Sequence, residues 1–221
     1  VATISASRSA DPLPRPASIR TIALTGPPNS GKSTFFNLLT GLRQKTANFP
    51  GVTVEQRSGV FRHQGRRYEL IDLPGIYSLD PKSEDERVTV DVLHGRLAAT
   101  VRPDAVILVL DATNLRRHLV LAAEIIALGL PTLVVLNMAD VLHRHEGAVD
   151  ALALARELGT PVVLASAAHG EGLEAVQHFL EQETNAAATP ATLPIIQDVR
   201  ACAEWACDVG RRSSYQPPLP S

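Results

Sequence analysis

The 221 residues suffice for one substantial domain and an appendage, and are short for two full domains. With 45% apolar residues and a net charge of −2 the composition is that of a soluble globular protein, without the basic excess that attracts nucleic acid. Cys202 and Cys207 lie five positions apart on one expected helix, point to different sides, and so are poorly placed to bridge or chelate; they suit a reducing cytosol. Residues 1–20 are rich in Ser, Ala and Pro but lack the apolar core of a secretory signal, and read as a disordered leader. Leu119 to Leu136 is strongly apolar, yet Glu124, Gly129 and Pro131 interrupt it, so it parses as a helix and a strand rather than a membrane span.

From Thr21 the pattern alternates strand and helix, which implies a mostly parallel sheet covered on both faces. Ile22 to Thr25 is the first strand and Lys32 to Leu42 the first helix. Arg43 to Val54 is polar and aperiodic, with Pro50-Gly51 as turn chemistry, and reads as a mobile loop. Val54 to His63 and Tyr68 to Asp72 form an expected hairpin at the sheet's edge, which supplies one antiparallel strand. Ser83 to Leu97 reads as a helix with Ser83 as N-cap and Glu86 completing a capping box. Ala105 to Leu110 and Thr132 to Leu136 are apolar on both faces, as central strands must be, and a helix running to Leu128 separates them. A helix from about Ala148 to Leu158, a strand from Pro161 to Ala165 and a helix from Glu171 to Glu183 complete a unit spanning residues 21–184. Residues 185–192 read as a linker. Within 193–221, Leu193, Ile196, Val199, Ala203 and Ala206 mark one face of a short helix carrying Trp205, followed by a Pro-rich extended stub.

Four motifs fall in loops after strands. Gly26-Pro27-Pro28-Asn29-Ser30-Gly31-Lys32-Ser33-Thr34 matches G-x-x-x-x-G-K-[ST] between a strand and a helix, so backbone N–H groups and a helix N-terminus can cradle a polyphosphate. Lys32 adds positive charge there and Ser33 a hydroxyl for Mg²⁺. Thr53, in the loop Gly51-Val52-Thr53, can reach the same Mg²⁺ while a third phosphate is present. Asp72-Leu73-Pro74-Gly75 offers a carboxylate to hold Mg²⁺ through water and a Gly75 N–H for the γ-phosphate. Asn137-Met138-Ala139-Asp140 supplies the base reader. Guanine presents two N–H donors that the Asp140 carboxylate accepts together, whereas adenine would leave it unpaired, a discrimination on the order of 10⁴-fold. Asn137 ties this loop to the phosphate loop, and Ser166-Ala167 supplies a backbone N–H for the guanine O6. The ordered set, converging at the carboxyl ends of strands, implies a P-loop NTPase of the Ras-like G-domain class that binds GTP or GDP. Catalysis falls to Lys32, Thr53 and Gly75.

The chain resembles the N-terminal G domains of the ferrous iron transport protein B family. The resemblance covers about Ile22 to Glu181 and rests on the phosphate loop, Asn48-Phe49-Pro50-Gly51-Val52-Thr53-Val54-Glu55, Asp72-Leu73-Pro74-Gly75-Ile76-Tyr77-Ser78-Leu79, and Asn-Met-x-Asp. It implies a G domain on the cytoplasmic face of the bacterial inner membrane, a following helical domain that slows GDP release, and a membrane-embedded part of the same polypeptide that moves Fe²⁺ and through which any oligomer would form. Two residues depart from the common patterns. Ile76 stands where Ras-like GTPases carry a water-orienting glutamine, so intrinsic hydrolysis is expected to be slow. Pro27 stands where the family's K⁺-activated members carry an asparagine, so K⁺ stimulation is expected to be weak or absent. Met138 replaces the common lysine over the base, which implies modest affinity and fast exchange.

Other readings are a stand-alone ribosome-assembly GTPase, which would need an RNA-binding domain and a basic surface, and a nucleotide-dependent interaction module that does not hydrolyse. His143 and His145 lie in a polar loop without further ligands, Trp205 reads as the anchor of the terminal helix, and Arg116-Arg117 as a solvated helix start.

Overall fold

The computed structural model describes residues 20–97, 100–181 and 198–220; the expected leader, the linker, and the helix positions Leu193 and Ile196 lie outside these residues. Seven strands form one sheet in the order β2-β3-β4-β1-β5-β6-β7. Strands β1 (Arg20–Thr25), β4 (Arg66–Asp72), β5 (Ala105–Asp111), β6 (Thr132–Asn137) and β7 (Val162–Leu164) pair in parallel. Strand β3 (Glu55–His63) runs antiparallel to both β4 and β2 (Gln44–Asn48). The chain winds from β1 toward β4 on one side and continues through β5 on the other, so a crevice opens at the carboxyl end of β1.

The near-continuous apolar runs of β5 and β6 exist because both faces are covered. Ala23, Val106, Leu108, Leu110, Val134 and Leu136 face a core completed by α2 (Glu84–His94), α3 (Leu115–Ala127), α5 (Ala151–Leu158) and α7 (Val199–Arg212). Ile22, Leu24, Ile107, Val109, Leu133 and Val135 face α1 (Lys32–Thr40) and α6 (Leu173–Glu181), which contribute Phe35, Phe36, Leu39, Val176, Phe179 and Leu180. Full burial of side chains of this size stabilises by about 1.5–3 kcal/mol each before the entropy of ordering is subtracted.

Several segments depart from the sequence reading. Part of the expected mobile loop after α1 is strand β2, whose five residues are all exposed. It is held by main-chain pairing with β3, a contact that leaves no apolar pattern to read, and it places one strand outside the expected antiparallel edge. Ser83 caps α2 by accepting the Glu86 N–H at 3.2 Å, but Glu86 reaches back to the Lys82 N–H at 2.7 Å, not to that of Ser83 as a capping box requires. The stretch after Asn137 is helical: α4 (Ala139–Arg144) takes His143 out of the expected loop and leaves His145 at the C-cap. Asp150 caps α5 three residues later than the expected start.

Helix α7 lies on α3 and α5 through Ala206 and Val209, with Trp205 partly buried beside them, and Cys202 is also buried. Ala203, expected on that face, is exposed, because the helix seats one step further round. The Pro-rich end is docked. Gln216 and Ala148 exchange backbone hydrogen bonds of 2.8 and 3.0 Å, and the Leu219 N–H reaches His145 O at 2.8 Å. Arg116 and Arg117 are exposed, as expected of a solvated helix start, and lie over the rings of Tyr215 and Tyr77.

Candidate functional site

The expected site residues meet at the crevice beside β1. Gly26 to Gly31 turn from β1 into α1, and the loop is braced from both sides. From β6, Asn137 Nδ2 donates to Ser30 O at 2.9 Å while its Oδ1 accepts the Ala167 N–H at 2.9 Å. This is the expected tie between base loop and phosphate loop, and it engages the Ala167 N–H, one of the two in Ser166-Ala167 expected to be available to guanine O6. Space explains the second loop glycine: Gly31 has φ +78°, and a Cβ there would stand 2.2 Å from Asn137 Nδ2. Met138 Cε lies close by, which brings the thioether over the turn. From β4, the Ile76 N–H donates to Gly26 O at 3.1 Å and the Leu73 N–H to Leu24 O at 2.9 Å. A Cβ on Gly75 would come within 2.9 Å of Pro28 N, so this glycine packs directly against the loop.

Charge is concentrated where a phosphate chain would lie. Lys32 Nζ is ion-paired with Asp72 Oδ1, and both side chains are nearly buried. Ser30 Oγ and Thr25 Oγ1 are buried beside this loop without a hydrogen-bond partner. Ser33, Thr34 and Asn29 lie at the exposed rim, Asn29 in the left-handed conformation with φ 64°. The oxygen donors of Ser33, Thr53 and Asp72 are hard ligands that suit Mg²⁺ rather than a softer metal. Thr53 and Gly51 are exposed and Val52 half-buried, in a turn closed by Phe49 N–H to Val54 O at 2.9 Å and Val52 N–H to Phe49 O at 3.2 Å. Phe49 is 1% exposed and belongs to the main core. The segment read as a free loop is therefore fastened at both ends.

Ile76 is fully buried among the core residues, with its side chain turned away from the crevice. Pro74 O accepts from Thr89 Oγ1 at 2.9 Å. Further along, the Leu79 N–H is held by Glu124 Oε2 on α3 at 2.7 Å. Burial raises the Glu124 carboxyl above its ordinary pKa, against the opposing effect of this hydrogen bond. From its position in the sequence Glu124 only interrupts an apolar run.

The base end is built around Asp140 on α4. Its Oδ1 accepts from Ser166 Oγ at 2.7 Å and its Oδ2 from Arg144 at 3.3 Å, while His169 Nδ1 stands 3.8 Å from Oδ2. The Ser166 hydrogen bond is the main cause holding the Asp140 carboxyl below its usual pKa; partial burial opposes it and His169 assists. A carboxylate offers about four acceptor positions. Ser166 and Arg144 take one on each oxygen, and the backbone N–H groups of Asp140 and Val141 also hydrogen-bond the carboxylate. Arg144 and His169 escaped sequence reading, because a six-residue helix and a three-residue turn give too little periodicity to place them.

Comparison with known proteins shows the family to which the chain is similar. A sequence profile described as Ferrous iron transport protein B matches residues 20–180. An Fe(2+) transporter FeoB from Leptospira biflexa is 44% identical over 164 residues, 74% of this chain and 23% of that protein. The chain thus spans under a quarter of the length of that relative. Among solved structures, the G domain of the T. maritima FeoB iron transporter aligns with 39% identity and a TM-score of 0.67 over 75% of this chain and 98% of that one. The cytosolic domain of the same transporter, in its GMPPNP form, aligns with 38% identity and a TM-score of 0.71 over 79% of this chain and 68% of that one.

Proposed function

The chain belongs to the ferrous iron transport protein B family, and from that premise we propose that it is the GTP-binding, slowly GTP-hydrolysing regulatory domain of a bacterial ferrous iron membrane transporter. The observation that carries this reading is the Asp140 carboxylate, held by Ser166 and Arg144 and kept ionised, beside a loop that Asn137 braces against the phosphate loop. Residues 21–184 act as the G domain, with the segment from 193 onward as its helical appendage. Its partners are GTP or GDP and the membrane-embedded part of the same polypeptide, at the cytoplasmic face of the inner membrane. Among the described residues no helix is long and apolar enough to cross a membrane.

In this reading Gly26 to Thr34 bind the polyphosphate, with Lys32 exchanging Asp72 for phosphate oxygens as the nucleotide enters. Ser33, Thr53 and Asp72, the last through water, would hold Mg²⁺, which neutralises charge on the phosphates. Gly75 donates its N–H toward the γ-phosphate and Thr53 closes over it, so loss of that phosphate frees both loops. The burial of Ile76 supports a slow intrinsic rate, since that position offers no group to orient water. Pro27 supports weak or absent K⁺ stimulation. A time course of phosphate release with GTP and ATP, in KCl and in NaCl, tests all three statements, with Lys32→Ala as the inactive control. Slow GTP hydrolysis, no ATP hydrolysis and equal rates in both salts are expected, and a large K⁺ effect overturns the role given to Pro27.

The burial of Ile76 also favours a second reading, a GTP-dependent interaction module that does not hydrolyse. Phosphate release at the level of the Lys32→Ala control would select it.

A further inference from the structure

Beside the guanine-reading carboxylate stands a residue that none of the nucleotide motifs includes. His169, in the 3-10 turn Ala167–His169, has a side chain 56% exposed, so packing does not hold it in place. Its Nδ1 lies 2.7 Å from Ser166 Oγ, which is itself 2.7 Å from Asp140 Oδ1. The direction of these bonds follows from proton count. A carboxylate with a depressed pKa carries no proton, so the single Ser166 hydroxyl proton points to Asp140. Ser166 Oγ must then accept, and His169 Nδ1 must be the protonated ring nitrogen. The result is a one-way chain, His169 Nδ1–H to Ser166 Oγ–H to Asp140 Oδ1, ending on the oxygen that the base shares.

We propose that His169 is a positioning residue for guanine recognition, locking the Ser166 hydroxyl so that Asp140 keeps one fixed orientation toward the base. The proposal rests on the GTP-binding reading above. Without the Nδ1–H the hydroxyl is free to rotate, and the carboxylate samples orientations in which only one of its oxygens meets the base. A single charge-linked hydrogen bond of this kind is worth on the order of a five- to tenfold change in affinity.

The test measures dissociation of fluorescently labelled GDP and ADP from the full chain, for the wild type, His169→Ala and His169→Asn. The asparagine amide can replace the Nδ1–H donor. GDP release is expected to quicken about five- to tenfold in His169→Ala and to return toward the wild type in His169→Asn. ADP, whose base gives Asp140 no pair of donors, should be unaffected, and melting temperatures should match. The proposal is overturned if His169→Ala releases GDP at the wild-type rate, if the asparagine variant fails to restore it, or if ADP release quickens equally. A wild-type chain without preference for GDP over ADP would instead overturn the GTP-binding reading itself.

Discussion

The two ends of the crevice are built differently. The base end is assembled by side-chain hydrogen bonds: Asn137 ties Ser30 to Ala167, and Ser166, Arg144 and His169 surround Asp140. The γ-phosphate end is held in another arrangement, with Lys32 paired to Asp72, Thr53 exposed, and Gly75 packed on Pro28. In the proposed function the difference assigns specificity to the first end and switching to the second. A reader of base identity gains from being fixed before the ligand arrives, because no ordering cost is then charged against binding. A sensor of the third phosphate needs two arrangements to choose between.

The strongest way to break this contrast is at the fixed end. Asp140→Asn replaces one acceptor oxygen by a donor, and competition binding should show GDP affinity falling about 10³–10⁴-fold with a gain for xanthine nucleotides. A loss under tenfold would mean that the base end is not the reader. Next comes Ile76→Gln, which restores the common water-orienting residue in name only. Since the Ile76 side chain lies in the core, we expect a loss of about 2–4 kcal/mol in denaturant unfolding and no faster phosphate release. A faster, equally stable variant would show that this segment swings outward readily.

Smaller effects sharpen the comparison through pH. Burial raises the Glu124 pKa, so its protonated form contributes stability that is fully present below the ordinary glutamate value and is lost as pH rises through the raised value. Glu124→Gln removes that titration and keeps an acceptor for the Leu79 N–H. Thermal melts should show the variant gaining on the wild type as pH rises from 4 toward 7, at about pH 5 and above; a constant difference would remove the assigned cause. Asp140 is the opposite case. Its depressed pKa keeps the carboxylate charged, so GDP affinity should hold on acidification to about pH 5 and fall only below the ordinary aspartate range.

The residues whose chemistry is fixed by type and spacing were the legible ones. Asp72 and Asn137 end strands that a run of apolar residues announces, Lys32 and Asp140 open the helices that follow strands, and their meeting follows from strand order. Phe49 was hidden because one buried aromatic in a polar stretch makes no period, and β2 because main-chain pairing alone sustains it. Arg144 was hidden by the brevity of α4, and the docking of Gln216 and Leu219 by contacts that run backbone to backbone. Local pattern reports elements that bury a face and is silent on those held by hydrogen bonds between distant segments.

Val54 also limits how far the proposed sensor can travel. Pro50 to Thr53 lie between the core residues Phe49 and Val54, with Val52 itself packed on the core, and Thr53 adjoins Val54 directly. Consecutive Cα atoms are about 3.8 Å apart, so Thr53, tethered to Val54, can shift by no more than about 7–8 Å while both anchors stay seated. Any longer stroke must lift Val54 out of the core. The loop is thus a lever with a built-in stop, and movement past that stop would be visible as newly exposed apolar surface.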